Sequence, residues 1–184
     1  MSKPFAVVLV VLLVALSPGI GRADAAAKAA VAAAFQKMAQ AKSYRMTMTS
    51  ASGEMTQDYV APNRRHISGR QMEMITIGDD SWMKVDGKWQ HVPKMPMGAM
   101  SAPQSIGSAP KAPETDVTLV GNQECQGQPA QVYQFSTSSA SGTSEKSKLW
   151  VGSSGYPCRM QMGSSGASMQ WSQWGAPLTI DAPM

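Results

Sequence analysis

The sequence predicts an α+β fold, with an N-terminal helix packed on a large curved antiparallel sheet that forms an open half β-barrel of about ten strands. Three observations lead to this prediction. An alanine-rich stretch near the N-terminus has a helical repeat of apolar residues, stretches of alternating polar and apolar residues follow it, and Gly, Ser and Asn separate those stretches at hairpin spacing. The length of the chain after removal of a signal peptide, about 160 residues, suffices for one domain with a core.

The helix is predicted over residues 25–42, which read AAAKAAVAAAFQKMAQAK. Alanine has the highest intrinsic helix propensity of the amino acids. Larger apolar side chains recur on one stripe of this segment, at Val31, Phe35, Met38 and Ala39. We therefore expect one amphipathic helix that buries this stripe and ends near Ser43.

Strands are predicted for most of the remaining chain. Between residues 81–85 and 88–92, Asp86-Gly87 is a strong hairpin signal because a type I′ turn needs two positive φ angles. Residues 93–113 interrupt the strands with five prolines and no periodicity, so a flexible loop rich in Met, Pro and Ser is expected there. Strand signals then continue to a last short strand at residues 178–180.

The N-terminus has the features of a secretory signal peptide. Lys3 precedes an apolar run over residues 5–16, which is too short to span a bilayer, and helix breakers and small residues follow it. We expect cleavage after Ala23 or Ala25, so that residues 24–184 form a single domain in the periplasm. No cysteine directly follows the apolar run, and a lipid anchor is therefore not expected.

The charge of the chain does not favour a nucleic-acid partner. There are 16 basic and 12 acidic side chains, and removal of Lys3 and Arg22 with the signal peptide leaves 14 against 12. Such a small excess gives no electrostatic footprint for a phosphate backbone. The densest basic group, Asn-Arg-Arg-His at residues 63–66, is interpreted as a solvated turn.

The chain contains two cysteines, Cys125 and Cys158. In an oxidising compartment we expect them to form a disulfide, which would stabilise the fold by roughly 3–4 kcal/mol. A reactive or metal-binding thiol pair is the alternative, but the CxxC spacing typical of such pairs is absent.

Methionine is unusually frequent, with 15 residues. Several lie two positions apart within predicted strands, a spacing that puts both side chains on one sheet face. Because thioethers adapt to changing partners, this face is either a methionine-rich core or the lining of a deformable cavity for an apolar ligand. The candidates for the cavity lining are Met46, Met48, Met72, Met74, Trp82, Met95, Met97, Met100, Met160, Met162, Met169 and Trp171.

Two turn motifs carry a family resemblance. A strand ends in a Pro-Asn turn with two arginines at residues 62–65, and an acidic turn then precedes an aromatic-bearing strand within residues 74–85. With the later segments 120–135, 148–162 and 176–184, this order resembles the periplasmic lipoprotein-carrier superfamily of LolA and LolB type over nearly all of the chain after the signal peptide.

The resemblance implies an open half-barrel wrapped over a helix, with an apolar cavity that receives acyl chains. It therefore implies a soluble periplasmic carrier of a lipid or lipoprotein-like ligand, monomeric and in transient contact with membranes. Ala61 stands where the lipoprotein carriers place an arginine, and the lipobox cysteine of the anchored branch is missing. The expected ligand is accordingly another amphiphile, and the residues from Met95 to Met100 are expected to form a flap over the cavity.

A copper(I) site is the main alternative hypothesis, because thioethers and imidazole are ligands that copper(I) prefers. Its ligands would be His91, Met95, Met97 and Met100 in the segment HVPKMPMGAM. A third hypothesis is an interaction module for another envelope protein, since open sheet edges pair readily. An enzyme is not expected, because no nucleophile elbow, HExxH motif or phosphate loop is present, and no cofactor is expected either.

Overall fold

The computed structural model describes residues 20–70, 72–92, 116–138, 144–163 and 165–184. The predicted apolar leader run and the predicted loop at residues 93–113 lie outside these ranges. The described residues form one helix and an 11-stranded sheet. The elements are α1 (Ile20–Ala39), β1 (Ser43–Ser50), β2 (Gly53–Val60), β3 (Arg64–Gly69), β4 (Glu73–Ile77), β5 (Asp80–Val85), β6 (Lys88–Val92), β7 (Val117–Cys125), β8 (Gln128–Ser138), β9 (Ser144–Gly152), β10 (Pro157–Gln161) and β11 (Ser168–Ser172).

All the strands belong to one antiparallel sheet in the order β6-β5-β4-β3-β2-β1-β11-β10-β9-β8-β7. The order follows the chain except where β1 pairs with β11, with Met46 opposite Trp171. This pairing joins an N-terminal half, β1–β6, to a C-terminal half, β7–β11. In the described part of the chain β6 and β7 are the two edges, so the sheet is open. The predicted class, one helix on an open antiparallel sheet, is confirmed.

The predicted hairpin at Asp86-Gly87 connects β5 and β6. Asp86 has a φ of 50° and Gly87 a φ of 77°, as a type I′ turn requires. The turn sets the register in which Val85 lies opposite Lys88.

Helix α1 runs from Ile20 to Ala39, earlier at both ends than the predicted residues 25–42. It ends sooner because the chain must turn before β1, and the amide of Ala41 donates to the carbonyl of Met38 in that turn. Both predicted cleavage sites lie within the helix. No helix in the described ranges has the length and apolar character needed to cross a membrane.

The predicted apolar stripe of α1 packs on one face of the sheet, which we call the inner face. Val31 is fully buried, and Phe35 and Met38 are nearly so. Ala39, the fourth residue of the predicted stripe, is exposed, because the helix ends there and the chain turns toward β1. The sheet contributes large apolar side chains from both of its halves to the same core, namely Met46, Val117, Tyr133, Phe135, Leu149, Val151, Met160, Met169 and Trp171. The helix therefore covers the inner face of β7–β11 together with β1.

A smaller cluster lies on the opposite, outer face of the C-terminal half. Cys125 and Cys158 form a disulfide there, with Cα atoms 6.4 Å apart and a sequence separation of 33. Buried Ala130, Val132 and Trp150 pack around the bridge. The disulfide predicted from the sequence is therefore present, and it links the β7–β8 hairpin to β10.

The C-terminal segment after β11 follows an irregular path, so the strand predicted at residues 178–180 is wrong. Side chains and carbonyls hold the segment instead: Ser43 Oγ donates to the carbonyl of Ala176 at 2.6 Å, and Arg64 donates to the carbonyl of Ile180 at 2.6 Å. Ile180 is buried. The alternating residues 178–180 are fixed by packing and by these bonds rather than by a sheet ladder.

Candidate functional site

The inner face of β2–β5 lies beside the helix-covered core and differs from it. Among the described residues, no member of β2–β6 belongs to the core formed around α1. Rows of cross-strand partners nevertheless lead from β1 onto these strands. One row runs from the core residue Met46 through Gln57, Ile67 and Met74 to Met83, and the next row runs from Met48 to Met55. We call the apolar members the methionine patch, which consists of Met48, Met55, Ile67, Met74 and Met83.

The methionine patch is only partly buried. Ile67 is buried, whereas Met48, Met55, Met74 and Met83 keep part of their surface exposed. Directly opposed residues on neighbouring strands have Cβ atoms about 5 Å apart, so Met48 lies beside Met55 in one group. Ile67, Met74 and Met83 form a second group, and Gln57 lies between Ile67 and the core residue Met46. Unbranched, polarizable side chains on such a surface can change shape around a bound apolar chain.

A polar and aromatic row borders the methionine patch on one side. It consists of Tyr44, Tyr59, Arg65, Thr76 and Ser81, which are successive cross-strand partners. The rings of Tyr44 and Tyr59 are 5.0 Å apart, and the guanidinium of Arg65 lies 5.9 Å from the Tyr59 ring. The inner face is therefore amphipathic along the strands, with apolar rows next to a polar one.

A series of aromatic contacts extends this row toward the helix. Trp174 lies 5.1 Å from Tyr44 and stacks on Tyr156 at 4.4 Å, and the ammonium of Lys37 lies 4.5 Å above the Tyr156 ring. Burial raises the pKa of Tyr44 above its usual value, and the positive charge of Arg65 acts in the opposite direction. These rings present flat surfaces, two of them with hydroxyl groups, and have a cation near each end.

An open groove of about 590 Å³ runs along the other side of α1. The helix contributes small side chains and Lys37 to it, and β7–β9 with the β9–β10 turn supply the opposite wall. Its lining residues are Ala30, Ala33, Ala34, Lys37, Asn122, Pro129, Ala130, Gln131, Tyr133, Val151, Gly152, Ser153 and Gly155. The hydroxyl of Tyr133 donates to Gln131 at 2.7 Å, and burial raises the pKa of this tyrosine. The groove is mainly apolar, with a cation at one end.

The structure separates the cavity candidates named from the sequence into groups. Met46, Met160, Met169 and Trp171 are buried in the core beneath α1, and Met48 and Met162 pack against that core. Met74 belongs to the methionine patch, and Met72 is exposed just before β4. Trp82 lies on the outer face, opposite Ile75 and His91. Met95, Met97 and Met100 lie outside the described residues.

The copper hypothesis concerns His91, which lies on the outer face at the end of β6. Its Nε2 is 3.1 Å from Asp80 Oδ1, and its ring contacts the edge of Trp82. The described ranges contain no group of three or more His, Cys, Asp or Glu side chains arranged to hold a metal ion. The three methionines of the proposed copper site are outside those ranges, so the hypothesis stays a prediction.

The outer face of the N-terminal half carries charged pairs beside the apolar side chains of Ile75 and Trp82. Arg45 donates two hydrogen bonds to Asp58, at 2.6 and 2.7 Å, and this contact raises the pKa of the arginine. Glu73 accepts from Lys84 at 2.9 Å and lies 3.2 Å from His66. The bond from Lys84, and to a smaller extent that from His66, lowers the pKa of Glu73. This face is therefore polar in part, as the alternation predicts.

The sequence candidates did not include several residues of the inner face. Met55, Gln57 and Tyr59 alternate in the segment EMTQDYV, which was already predicted as a strand, so period-two spacing could have placed them beside Met46 and Met48. The sequence pattern favours Trp82 for the cavity, whereas its neighbour Met83 is the residue that lies on the inner face, opposite Met74. A strand pattern identifies two faces but does not say which of them points inward.

Comparison with solved structures adds the fold relationship. No protein-family model and no curated protein matches the sequence. The lipoprotein LppX from Mycobacterium tuberculosis aligns with 86% of this chain and 100% of its own, at a TM-score of 0.65 and 13% identity. LprF from Mycobacterium bovis aligns with 86% of this chain and 97% of its own, at a TM-score of 0.67 and 14% identity. This chain has the LppX fold.

The LppX-like fold confirms the architecture implied by the sequence resemblance. A LolA superfamily protein from Nitrosomonas europaea is also among the matches, at a TM-score of 0.35 and 13% identity, with 85% of this chain and 94% of that chain covered. The alignments with LppX and LprF extend over nearly the whole of both chains. At these identities they show the fold alone.

Proposed function

We propose that the protein is a soluble periplasmic carrier that holds the apolar chain of a lipid-like amphiphile on the inner face of its sheet. The methionine patch contacts the chain, and the row from Tyr44 to Ser81 lies next to the head group. The proposal rests on this amphipathic inner face. Its apolar rows begin in the core under α1 and extend onto strands that the helix does not cover.

The side-chain chemistry of the methionine patch favours a ligand over a fixed packing partner. A well-defined core uses Leu, Ile, Val and Phe, whose rotamers are restricted, whereas methionine fills irregular and changing spaces. The helix-covered core combines its methionines with restricted side chains such as Val117, Phe135 and Leu149, whereas four of the five patch residues are methionine and all four are partly exposed. The patch therefore suits apolar chains of more than one shape.

Other features support an exported binding protein. The disulfide between Cys125 and Cys158 is typical of an oxidising compartment. The apolar leader run and the small residues around Ala23 support export. The sequence resemblance to lipoprotein carriers and the fold shared with LppX support the carrier role, and the groove beside α1 offers a second apolar space for a branched or two-chain ligand.

The test is the affinity of the full-length mature protein for a fluorescent fatty-acid probe. In the double variant Met74→Gln/Met83→Gln, two amides replace thioethers on the inner face. We expect the Kd for the probe to rise at least about tenfold, because each side chain loses apolar contact with the probe and introduces a polar group.

Lys84→Gln provides the matched control, since Lys84 is the sequence neighbour of Met83 and lies on the outer face. Its Kd should stay within about twofold of the wild-type value. Absence of probe binding to the wild-type protein, or equal losses in the double variant and the control, would contradict the proposal. Native mass spectrometry of protein from an export host should also show a copurified acyl ligand.

A further inference from the structure

Gln57 occupies the centre of the inner face. It lies in the middle of β2, between the cross-strand partners Met46 on β1 and Ile67 on β3. Its side chain is 1% exposed, and both of these partners are buried and apolar. A carboxamide is thus placed in the middle of a row that otherwise runs through Trp171, Met46, Ile67, Met74 and Met83.

The carboxamide oxygen of Gln57 is buried and accepts no hydrogen bond. The other buried polar side chains of the described core differ from it: Ser43 donates to the carbonyl of Ala176, and Ser147 accepts from the amide of Gly163. Folded proteins give nearly all buried polar groups a partner, and an unmet acceptor reduces stability. Leucine or methionine would fill the same space without this loss, so the fold alone does not account for a glutamine.

A second buried group without a hydrogen bond, Nε of Arg159, has a different setting. The guanidinium of Arg159 lies 5.1 Å from the ring centre of Trp150 on the outer face, so the π system of the ring faces its charge. Gln57 has only apolar cross-strand neighbours. Among the described residues of the inner face, Gln57 is therefore the one whose buried carboxamide oxygen is left for a ligand.

We propose that Gln57 determines ligand specificity by hydrogen bonding to a hydroxyl group carried on the bound acyl chain. This inference rests on the proposed function, because it places the chain across the methionine patch. A hydroxyl can donate to Oε1 and accept from the amide nitrogen, so it matches both ends of the carboxamide. An ester or carboxylate oxygen has no proton to donate at neutral pH and leaves Oε1 without a partner.

The surroundings of Gln57 allow a chain to reach it. Met48 and Met55 are partly exposed in the adjacent row, and Met74 is partly exposed one strand beyond Ile67. Three rotatable bonds let each of these side chains move aside without a change in the backbone. A hydroxylated chain that lies along the methionine patch therefore meets a single hydrogen-bonding group, at a fixed distance from the polar row.

The experiment compares oleic acid with ricinoleic acid, which differ by one hydroxyl, and saturated fatty acids that carry the hydroxyl at other carbons. The Kd of each acid is measured by displacement of the fluorescent fatty-acid probe from the full-length mature protein. We expect the best-placed hydroxy acid to bind about tenfold more tightly than its unsubstituted parent, a difference of about 1.4 kcal/mol.

In Gln57→Met this preference should fall to within about twofold, while the parent fatty acid binds at least as well as in the wild type. The variant keeps the volume of the side chain, and its urea midpoint should equal or exceed that of the wild type. Thr56→Val is the control, because Thr56 belongs to the same strand and faces outward. It should keep the full preference for the hydroxy acid.

The outcomes separate this inference from the proposed function. If the wild type binds fatty acids but shows no preference for any hydroxy acid, the role of Gln57 is overturned and the carrier proposal stands. A preference that survives in Gln57→Met also overturns the role of Gln57. If no fatty acid binds at all, both proposals fail.

Discussion

The two halves of the sheet have the same alternating strand pattern, but their inner and outer faces are packed differently. In the C-terminal half, β7–β11, the inner face is buried under α1 and the outer face is tied by the disulfide between Cys125 and Cys158. In β2–β6 the inner face carries the partly exposed methionine patch, and the outer face carries ion pairs. The comparison shows that the helix-covered core belongs mainly to one half and that the inner face of the other half keeps partly exposed apolar side chains.

The largest expected effect tests this division by truncating one residue in each half. Trp171→Ala should lower the free energy of unfolding by about 3–5 kcal/mol, because the ring is fully buried against α1 and its loss leaves a large cavity. Met74→Ala, on the methionine patch, should lower it by about 1 kcal/mol. Urea unfolding followed by circular dichroism measures both, and equal losses would mean that the halves share the core evenly.

A smaller effect is expected from the covalent link in the C-terminal half. The double variant Cys125→Ala/Cys158→Ala should lose about 2–4 kcal/mol of unfolding free energy, because the unfolded chain is no longer constrained by the bridge. Wild-type protein with and without a reductant provides the control, since reduction should reproduce the loss in the unmutated chain. A urea midpoint that does not change on reduction would show that packing around Trp150 holds this region without the bond.

The smallest effect concerns the charged outer face of the N-terminal half. The pKa of Glu73 is lower in the folded protein than its ordinary value of 4.5, so its ion pairs stabilise the fold above that value. This contribution is lost as the pH falls through the lowered pKa, when the carboxylate gains a proton. It should stay below about 1 kcal/mol, as for other surface pairs.

Chemical unfolding at several pH values, from neutral to acidic, measures this contribution. Glu73→Gln should remove the part of the acid sensitivity that Glu73 causes, whereas Glu54→Gln, which changes an exposed carboxylate on β2, should leave that part in place. An acid profile of Glu73→Gln that matches the wild type would show that Lys84 and His66 do not stabilise the fold through this carboxylate.

Local pattern was enough to predict most secondary structure. The alanine-rich segment forms α1, and the hairpin forms at Asp86-Gly87. The disulfide between Cys125 and Cys158 also forms, as expected from two cysteines in an oxidising compartment. The segment at residues 178–180 alternates like a strand but is held by Arg64 and by packing of Ile180, a tertiary contact that no local signal describes.

The sequence by itself determined which side chains share a sheet face, because a period of two fixes this along each strand. It therefore placed Met46 with Met48, and Met72 with Met74. Period-two spacing depends only on backbone geometry and needs no distant partner.

The tertiary structure decided how each face is used. The pairing of β1 with β11 and the position of α1 put Met46 in the core and leave Met74 on the methionine patch. The pairing of β4 with β5 places Met83 on the inner face and Trp82 on the outer face. It also buries Gln57 without a partner for its carboxamide oxygen. These outcomes depend on contacts between segments that are far apart in the chain, and local periodicity holds no information about such contacts.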